Sequence, residues 1–228
     1  ILVYPGIYPE NIIVSKALTI QGVGAIPSTI INASFAGHGF KVTASNVSIR
    51  GFKIINADNQ QPGYAGDYAC VSFESAVGLE NGTVTHCIIE DCNFGVMVSG
   101  AGEYWKPFNN FVISYNVMKN ITRLGVFGGW EISNKWLVEN NTIWGKSLYG
   151  GGVTATGLQS GYEQGIELDA GDSNIVRHNL VHDFACVGIY LVYVTNTQVY
   201  ENELCNMTGQ AAQYPDQPYY PEAGDGIQ

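Results

Sequence analysis

Two carboxylic acids stand two positions apart in the segment Gly165–Asp169, which reads Gly-Ile-Glu-Leu-Asp. In an extended strand, residues i and i+2 lie on one face with their Cα atoms roughly 6.5 Å apart. Depending on the rotamers, the two carboxyl groups fall within the roughly 5–9.5 Å separation of glycosidase acid pairs. Glu167 and Asp169 are therefore the predicted catalytic pair, one as the proton donor and the other as the base or nucleophile.

Two other interpretations of this pair remain open. An outward Glu beside an Asp in an acidic protein is typical of a solvated surface. Together with Asp172 in the following turn, the pair could also hold Ca²⁺, because carboxylate oxygens are usual calcium ligands. Apart from this possible calcium ion, the sequence predicts no cofactor and no metal site.

Candidate substrate contacts surround the pair. Tyr190 and Phe127 are expected next to Glu167 on the same face, where an apolar surface could raise the pKa of one carboxyl group. Aromatic rings of this kind stack on sugar faces, although they also cover the cores of insertions. The predicted substrate-binding residues are Tyr190, Phe127, Trp130, Tyr162, Arg123 and Asp172.

An internal repeat supplies the elements that position these residues. Its pattern is an apolar residue, two variable residues, Asn, one variable residue and another apolar residue, with Gly or Cys replacing Asn in the first copies. We expect each Asn at a bend, where its amide satisfies backbone groups and stacks on the Asn of the next turn. The anchor positions 51, 87, 116, 141, 179 and 202 are separated by 36, 29, 25, 38 and 23 residues. A period near 23 to 25 with occasional insertions is typical of a solenoid turn built from three short strands.

A second motif, Gly-apolar-x-apolar, follows each anchor. Since side chains alternate between the two faces of a strand, the apolar residues point into the solenoid and x points out. The first outward column is predicted to contain Lys41, Ser72, Met97, Phe127, Glu167, Tyr190 and Gln228. The second is predicted to contain Thr43, Ser99, Gly129, Asp169 and Val192. The predicted fold is an all-β, right-handed parallel β-helix in which stacking supplies the stability.

The first 22 residues carry a family resemblance. Their Pro-Gly-Ile-Tyr-Pro-Glu turn, the strand after it, Lys16 and the strand ending at Gly22 resemble the first turns of pectin methylesterase-like and NosD-like proteins. With the Asn repeats, the chain is similar to the β-helix repeat proteins of the pectin lyase-like superfamily. This resemblance implies a carbohydrate-active protein that is extracellular or at the cell surface. It specifies the fold more than the activity, because the superfamily includes lyases, hydrolases, esterases, epimerases and adhesins.

The domain organisation follows from the same motifs. We expect one β-helix domain over residues 1–228, cut from a longer chain at both ends, with a further turn beginning at Gly226. Three long insertions, at 57–69, 145–164 and 209–225, precede the Glu167 face at one corner and are expected to wall a groove.

Charge and composition restrict the partners. The formal net charge of −10 disfavours nucleic acid, and no apolar run approaches the roughly 20 residues needed to span a membrane. A monomer is expected. Most of the five cysteines are expected to fill the core as small apolar residues. Bridges Cys87–Cys92 or Cys186–Cys205 are possible, but five cysteines cannot all pair. Copper would require Met and His ligands, and the three Met and four His are scattered along the chain.

The first functional hypothesis is a glycoside hydrolase that cleaves a polysaccharide with Glu167 and Asp169. The nearest enzyme alternative is a polysaccharide lyase with a base such as Tyr190 or Arg123. A non-catalytic surface, adhesin or glycan-binding solenoid is the third hypothesis. The sequence motifs of pectin methylesterases, calcium-type pectate lyases and mannuronan epimerases are not found.

Overall fold

A computed structural model describes residues 1–58, 68–146, 152–153, 159–160, 164–184, 187–207 and 227. Within these residues the chain makes eight turns, whose strands pair in parallel with those of the next turn. The first seven turns contribute to three sheets, and the eighth contributes two strands and an isolated bridge. The chain is thus an all-β, right-handed parallel β-helix, which confirms the predicted fold. The described part contains no helix, and so none that could cross a membrane.

Three sheets run along the solenoid, and we name them A, B and C in chain order within a turn. The strands of sheet A are Leu2–Val3, Leu18–Gly22, Val47–Arg50, Thr83–Thr85, Val112–Ser114, Leu137–Glu139, Ile175–Arg177 and Gln198–Tyr200.

Sheets B and C share the long strands Ile88–Ser99 and Val117–Gly128, which bend from one sheet into the other. The other strands of sheet B are Gly6–Tyr8, Thr29–Asn32, Lys53–Ala57, Thr142–Gly145, Leu180–His182 and Glu203–Cys205. The other strands of sheet C are Ile12–Val14, Phe40–Val42, Ala69–Glu74, Gln164–Leu168 and Val187–Leu191.

Short strands line the corner between sheets C and A. Three of them form one parallel sheet, and the other two form a second parallel pair beside it. A separate antiparallel pair, Gly152–Val153 with Gln159–Ser160, lies in the second insertion. The corner strands are Leu79–Glu80, Pro107–Asn109, Ile132–Asn134, Gly171–Asp172 and Val194–Thr195.

Inward side chains form the core, as the period-two pattern predicts. Aliphatic residues stack turn upon turn, and larger aromatic rings are buried among them. Phe111 stacks on Trp136 at 5.0 Å, and the indole N–H of Trp136 donates to the Phe108 carbonyl. No turn buries enough apolar area alone, so each depends on its neighbours.

The Asn anchors form a buried ladder at the corner between sheets A and B. The Nδ2 group of Asn116 donates to the Val84 carbonyl and to Oδ1 of Asn141, both at 3.0 Å. Asn141 and Asn179 repeat this pattern, and Asn202 accepts from Asn179. The ladder satisfies backbone groups at the bend, which confirms the predicted role of the repeat.

The strand pairing also confirms the first outward column of sheet C. Ile227 pairs with Ile189, in the register that the Gly226 motif predicts, while Gln228 lies outside the described residues. The confirmed neighbours, in order, are Lys41, Ser72, Met97, Phe127, Glu167 and Tyr190.

The described cysteines exclude one of the bridges that the sequence left open. Cys87 and Cys92 are both buried free thiols and form no bridge. The reason is that Cys87 occupies a ladder position, where its Sγ contacts the Thr85 carbonyl, whereas Cys92 faces Cys70 in the core. Cys205 is free and exposed, and Cys186 lies outside the described residues.

Candidate functional site

Glu167 lies on the outward face of sheet C between two aromatic residues. It pairs with Phe127 on the preceding turn and with Tyr190 on the following one. Only 7% of Glu167 is exposed, and Phe127 is buried to the same extent. Phe127 packs on Phe94 at 5.2 Å and on Trp130 at 5.6 Å between ring centroids. An apolar cluster therefore surrounds one side of the carboxyl group.

Burial, followed by the charge of Asp169 and a hydrogen bond to it, raises the pKa of Glu167 from its ordinary value to about 9. Oδ2 of Asp169 accepts the Trp130 backbone N–H at 2.8 Å, while its Oδ1 is buried with no partner among the described residues. A hydrogen bond between two carboxyl groups needs a proton on one of them, and the raised pKa assigns that proton to Glu167.

The two carboxyl groups are close enough to interact, as their shared strand face predicts. Gly129, on the turn before Asp169, helps to explain the arrangement. A Cβ at Gly129 would lie 2.6 Å from Oε1 of Glu167 and would also collide with the Phe127 ring. The missing side chain therefore leaves the space that the Glu167 carboxyl occupies.

The structure places three of the predicted substrate contacts, Phe127, Trp130 and Tyr190, at the pair and Arg123 away from it. Trp130 adjoins Asp169 through its backbone and is half exposed, and Tyr190 is half-buried beside Glu167. Arg123 is buried with its guanidinium 6.0 Å from the Phe94 ring. It precedes Phe127 by four residues, about 13 Å along the strand. Tyr162 lies outside the described residues, as do most of the three long insertions.

Asp172 belongs to the corner between sheets C and A. Its carboxylate accepts hydrogen bonds from Ser173 at 2.6 Å, from Thr195 at 2.7 Å and from Asn196 at 2.6 Å. These hydrogen bonds lower the pKa of Asp172. The carboxylate is thus engaged in joining two turns, and the hypothesis of a Ca²⁺ site that includes it stays a prediction.

A second polar cluster on sheet C was missed by the sequence reasoning. Glu74 lies in the second outward column beside Ser99, and its Oε1 is 3.0 Å from Nε2 of His38. Its Oε2 forms an ion pair with Lys41, and the Ser72 hydroxyl donates to Oε1 at 3.0 Å. We name these four residues, His38, Lys41, Ser72 and Glu74, the Glu74 cluster. The sequence contained a signal for this cluster, because Glu74 stands two positions after Ser72 on the strand and therefore falls in the second outward column.

Hydrogen bonds fix the state of the Glu74 cluster. The Ala69 backbone N–H donates to Nδ1 of His38 at 3.0 Å, so the proton of the neutral ring is on Nε2 and points at Glu74. Burial acts to raise the pKa of Glu74, but the hydrogen bonds from His38, Lys41 and Ser72 outweigh it and lower the pKa to about 2.

The His182–Asp183 couple lies on sheet B, away from both clusters. Nδ1 of His182 is 2.7 Å from Asp183, and its ring meets the edge of Trp144 at 4.9 Å. Lys119 covers Trp144 at 5.1 Å from the ring centroid. Asn206 also donates to Asp183. This side-chain stack connects successive turns of sheet B.

Comparison with known proteins gives one family and one structural neighbour. The family model described as periplasmic copper-binding protein (NosD) matches residues 26–220. The search of curated proteins gave no significant match. A PL6 family polysaccharide lyase from Pseudopedobacter saltans aligns over the whole chain and 86% of its own, with 12% identity and a TM-score of 0.32. That likeness is too low to carry any argument about activity. The family match spans most of the eight turns, and the chain therefore belongs to the NosD family.

Proposed function

We propose that this β-helix is an extracytoplasmic, carbohydrate-active protein that hydrolyses a polysaccharide on sheet C, with Glu167 as the general acid. The observation that carries the proposal is the Glu167–Asp169 contact on an outward face. A general acid must keep its proton at the working pH, and a pKa of about 9 meets that requirement at neutral pH. The periplasmic description of the family supports the location.

The hydrogen-bonded pair suggests how the two residues divide the work. A glycosidic oxygen that replaces Asp169 as the acceptor of the Glu167 proton would leave Asp169 free. Asp169 would then orient or deprotonate water, or attack the anomeric carbon. Its backbone contact with Trp130 fixes its position relative to the acid. The surface against which a sugar ring rests would be supplied by Tyr190, Phe127 and Trp130. The proposed reaction needs only one copy of the chain.

Copper does not fit the described side chains. They contain no group of three or more His, Cys, Asp or Glu residues that could hold a metal ion. Three of the histidines, His38, His178 and His182, each contact an acidic residue, and these contacts lie on three different sheets. Met118, a soft ligand, is buried in the core. No step of the proposed reaction therefore involves the metal in the family description.

The test is cleavage of a polysaccharide panel by the wild type and by Glu167→Gln and Asp169→Asn. We expect each substitution to reduce the release of reducing ends by about 10²–10⁴-fold while binding of the same polysaccharide persists. Glu90→Gln, the same change on sheet B, is the matched control and should keep wild-type turnover.

Three outcomes would contradict the proposal. Unchanged turnover in both variants would show that Glu167 and Asp169 are not the catalytic residues. Products with the ultraviolet absorbance of an unsaturated sugar would identify a lyase. Binding without cleavage of any substrate would identify a glycan-binding solenoid.

A further inference from the structure

Three exposed aromatic side chains gather where sheet C turns toward the corner strands. Tyr104, Trp105 and Trp130 are 64%, 54% and 50% exposed. The Tyr104 ring meets the edge of Trp130 with centroids 6.3 Å apart. Large aromatic residues usually bury much of their surface, so a concentration of exposed rings marks a binding surface.

The solenoid places the two tryptophans at equivalent points of successive turns. The Trp105 backbone N–H donates to the Trp130 carbonyl at 2.9 Å, and two residues later Pro107 pairs with Ile132. Both tryptophans have a φ of 60°, so their side chains leave the backbone in the same way. Neighbouring turns are about 4.8 Å apart, a spacing that brings both indoles within reach of one sugar ring.

A buried carboxylate holds this corner in place. Oε1 of Glu131 accepts the Gly100 N–H at 2.6 Å, and its Oε2 accepts the Lys106 N–H at 2.7 Å. The segment that carries Tyr104 and Trp105 is thereby tied to the residue that follows Trp130. The aromatic surface is therefore organised before any ligand binds.

The corner continues into the carboxylate pair. Trp130 donates its backbone N–H to Asp169, and its ring meets Phe127, the neighbour of Glu167. A sugar that rests on Trp130 therefore lies on a residue that directly contacts Asp169, one of the groups proposed to act on a glycosidic bond.

We infer that Tyr104, Trp105 and Trp130 form a stacking platform for an uncharged pyranose, so that the substrate is a neutral polysaccharide. The apolar C–H face of such a ring fits an exposed indole, and its hydroxyls fit the nearby carboxyl groups. The one lysine of the segment, Lys106, is paired with Glu103 at 3.7 Å, and the chain carries a net charge of −10. A uronate at this segment would meet net negative charge, because the one lysine described there is already paired. The inference rests on the proposed function for the location of the reacting bond.

The experiment measures binding to an array of neutral and uronate-containing oligosaccharides. Trp105→Asn and Trp130→Asn are made in the Glu167→Gln protein so that no ligand is consumed. Asn tolerates a positive φ, so both variants keep their backbone. Tyr115→Asn is the matched control, because Tyr115 is 51% exposed with a φ of 56° but lies at the corner between sheets A and B.

We expect binding to neutral oligosaccharides, weakened about tenfold or more by each Trp substitution and unchanged by Tyr115→Asn. Preference for uronates, no glycan binding, or equal affinity in the Trp variants would overturn the platform.

The hydrolase proposal and the platform proposal can fail independently of each other. Neutral glycan binding that depends on both tryptophans, in a wild type that cleaves nothing, would refute only the hydrolase. Cleavage with an unchanged KM, when the two Trp substitutions are made in the wild-type protein instead, would refute only the platform.

Discussion

Two glutamates on the outward face of sheet C have opposite protonation behaviour. Glu74 and Glu167 are three turns apart, about 14 Å along the solenoid, and both are mostly buried. The pKa of Glu74 is lowered to about 2, whereas that of Glu167 is raised to about 9. Burial raises the pKa of both, so burial alone cannot explain the difference.

The side chains on the neighbouring turns decide in which direction each pKa shifts. Glu74 receives hydrogen bonds from His38, Lys41 and Ser72, and these stabilise its charged form. Glu167 has the carboxylate of Asp169 beside it and an aromatic neighbour on each adjacent turn. The comparison teaches that a solenoid face sets the charge of each carboxyl group through the residues stacked next to it. Four substitutions would break or sharpen this contrast.

Glu167→Gln should produce the largest change in the pH dependence of stability. Because the folded pKa of about 9 exceeds the unfolded value of 4.5, the folded state holds a proton that the unfolded state releases. The contribution of Glu167 to the free energy of unfolding therefore falls as pH rises between about 4.5 and 9, by roughly 1.4 kcal/mol per pH unit. Urea unfolding from pH 5 to 8 should show this slope in the wild type and lose it in the variant. Equal slopes in both proteins would mean that Glu167 is ionised in the folded state.

Glu74→Gln should act on the acid side and destabilise the protein at neutral pH. The folded pKa of about 2 lies below the unfolded 4.5, so the stabilisation is present above pH 4.5 and is lost as pH falls toward 2. We expect a loss of about 2–3 kcal/mol at pH 7, since Lys41 and His38 lose a buried partner. Urea unfolding at pH 7 and pH 3 measures it, and the difference between the proteins should shrink at pH 3. A difference that is the same at both pH values would show a packing defect instead.

Asp169→Asn tests the second cause of the Glu167 shift. Removing the neighbouring charge should lower the pKa of Glu167 by on the order of one unit, while burial keeps it above the ordinary value. Carbon NMR of the side-chain carboxyl during a pH titration measures the change. Ser99→Ala, at the same column but outside the pair, is the control. A pKa that does not move would assign the whole shift to burial.

Lys41→Met should have the smallest effect. The ion pair is partly exposed on the lysine side, so its loss should cost less than about 1 kcal/mol and raise the pKa of Glu74 by less than a unit. The same NMR titration at low and high salt checks it, because a screened pair matters less at high salt. If the pKa of Glu74 returned to its ordinary value, Lys41 rather than His38 would dominate the cluster.

Much of the fold and part of the site could be predicted from the sequence. The Asn anchors and the Gly-apolar-x-apolar motif predicted the ladder, the outward columns and the neighbours of Glu167, because alternation along a strand is a local property. That Glu167 and Asp169 share one face followed from the same rule. The sequence left a bridge between Cys87 and Cys92 open, and the structure excludes it, because closeness along the chain does not bring together residues on different sides of a turn.

What the sequence determined alone is thus which side chains point outward and which turns are adjacent. The tertiary structure decided which of them touch, and hence which are charged. His38 reaches Glu74 across 36 positions of sequence, and Trp130 reaches Asp169 across 39. These contacts depend on how far each turn is displaced when it stacks on the last, and on the insertions between turns. The pKa of a carboxyl group depends on charges and donors within a few ångströms, so no local pattern could fix it.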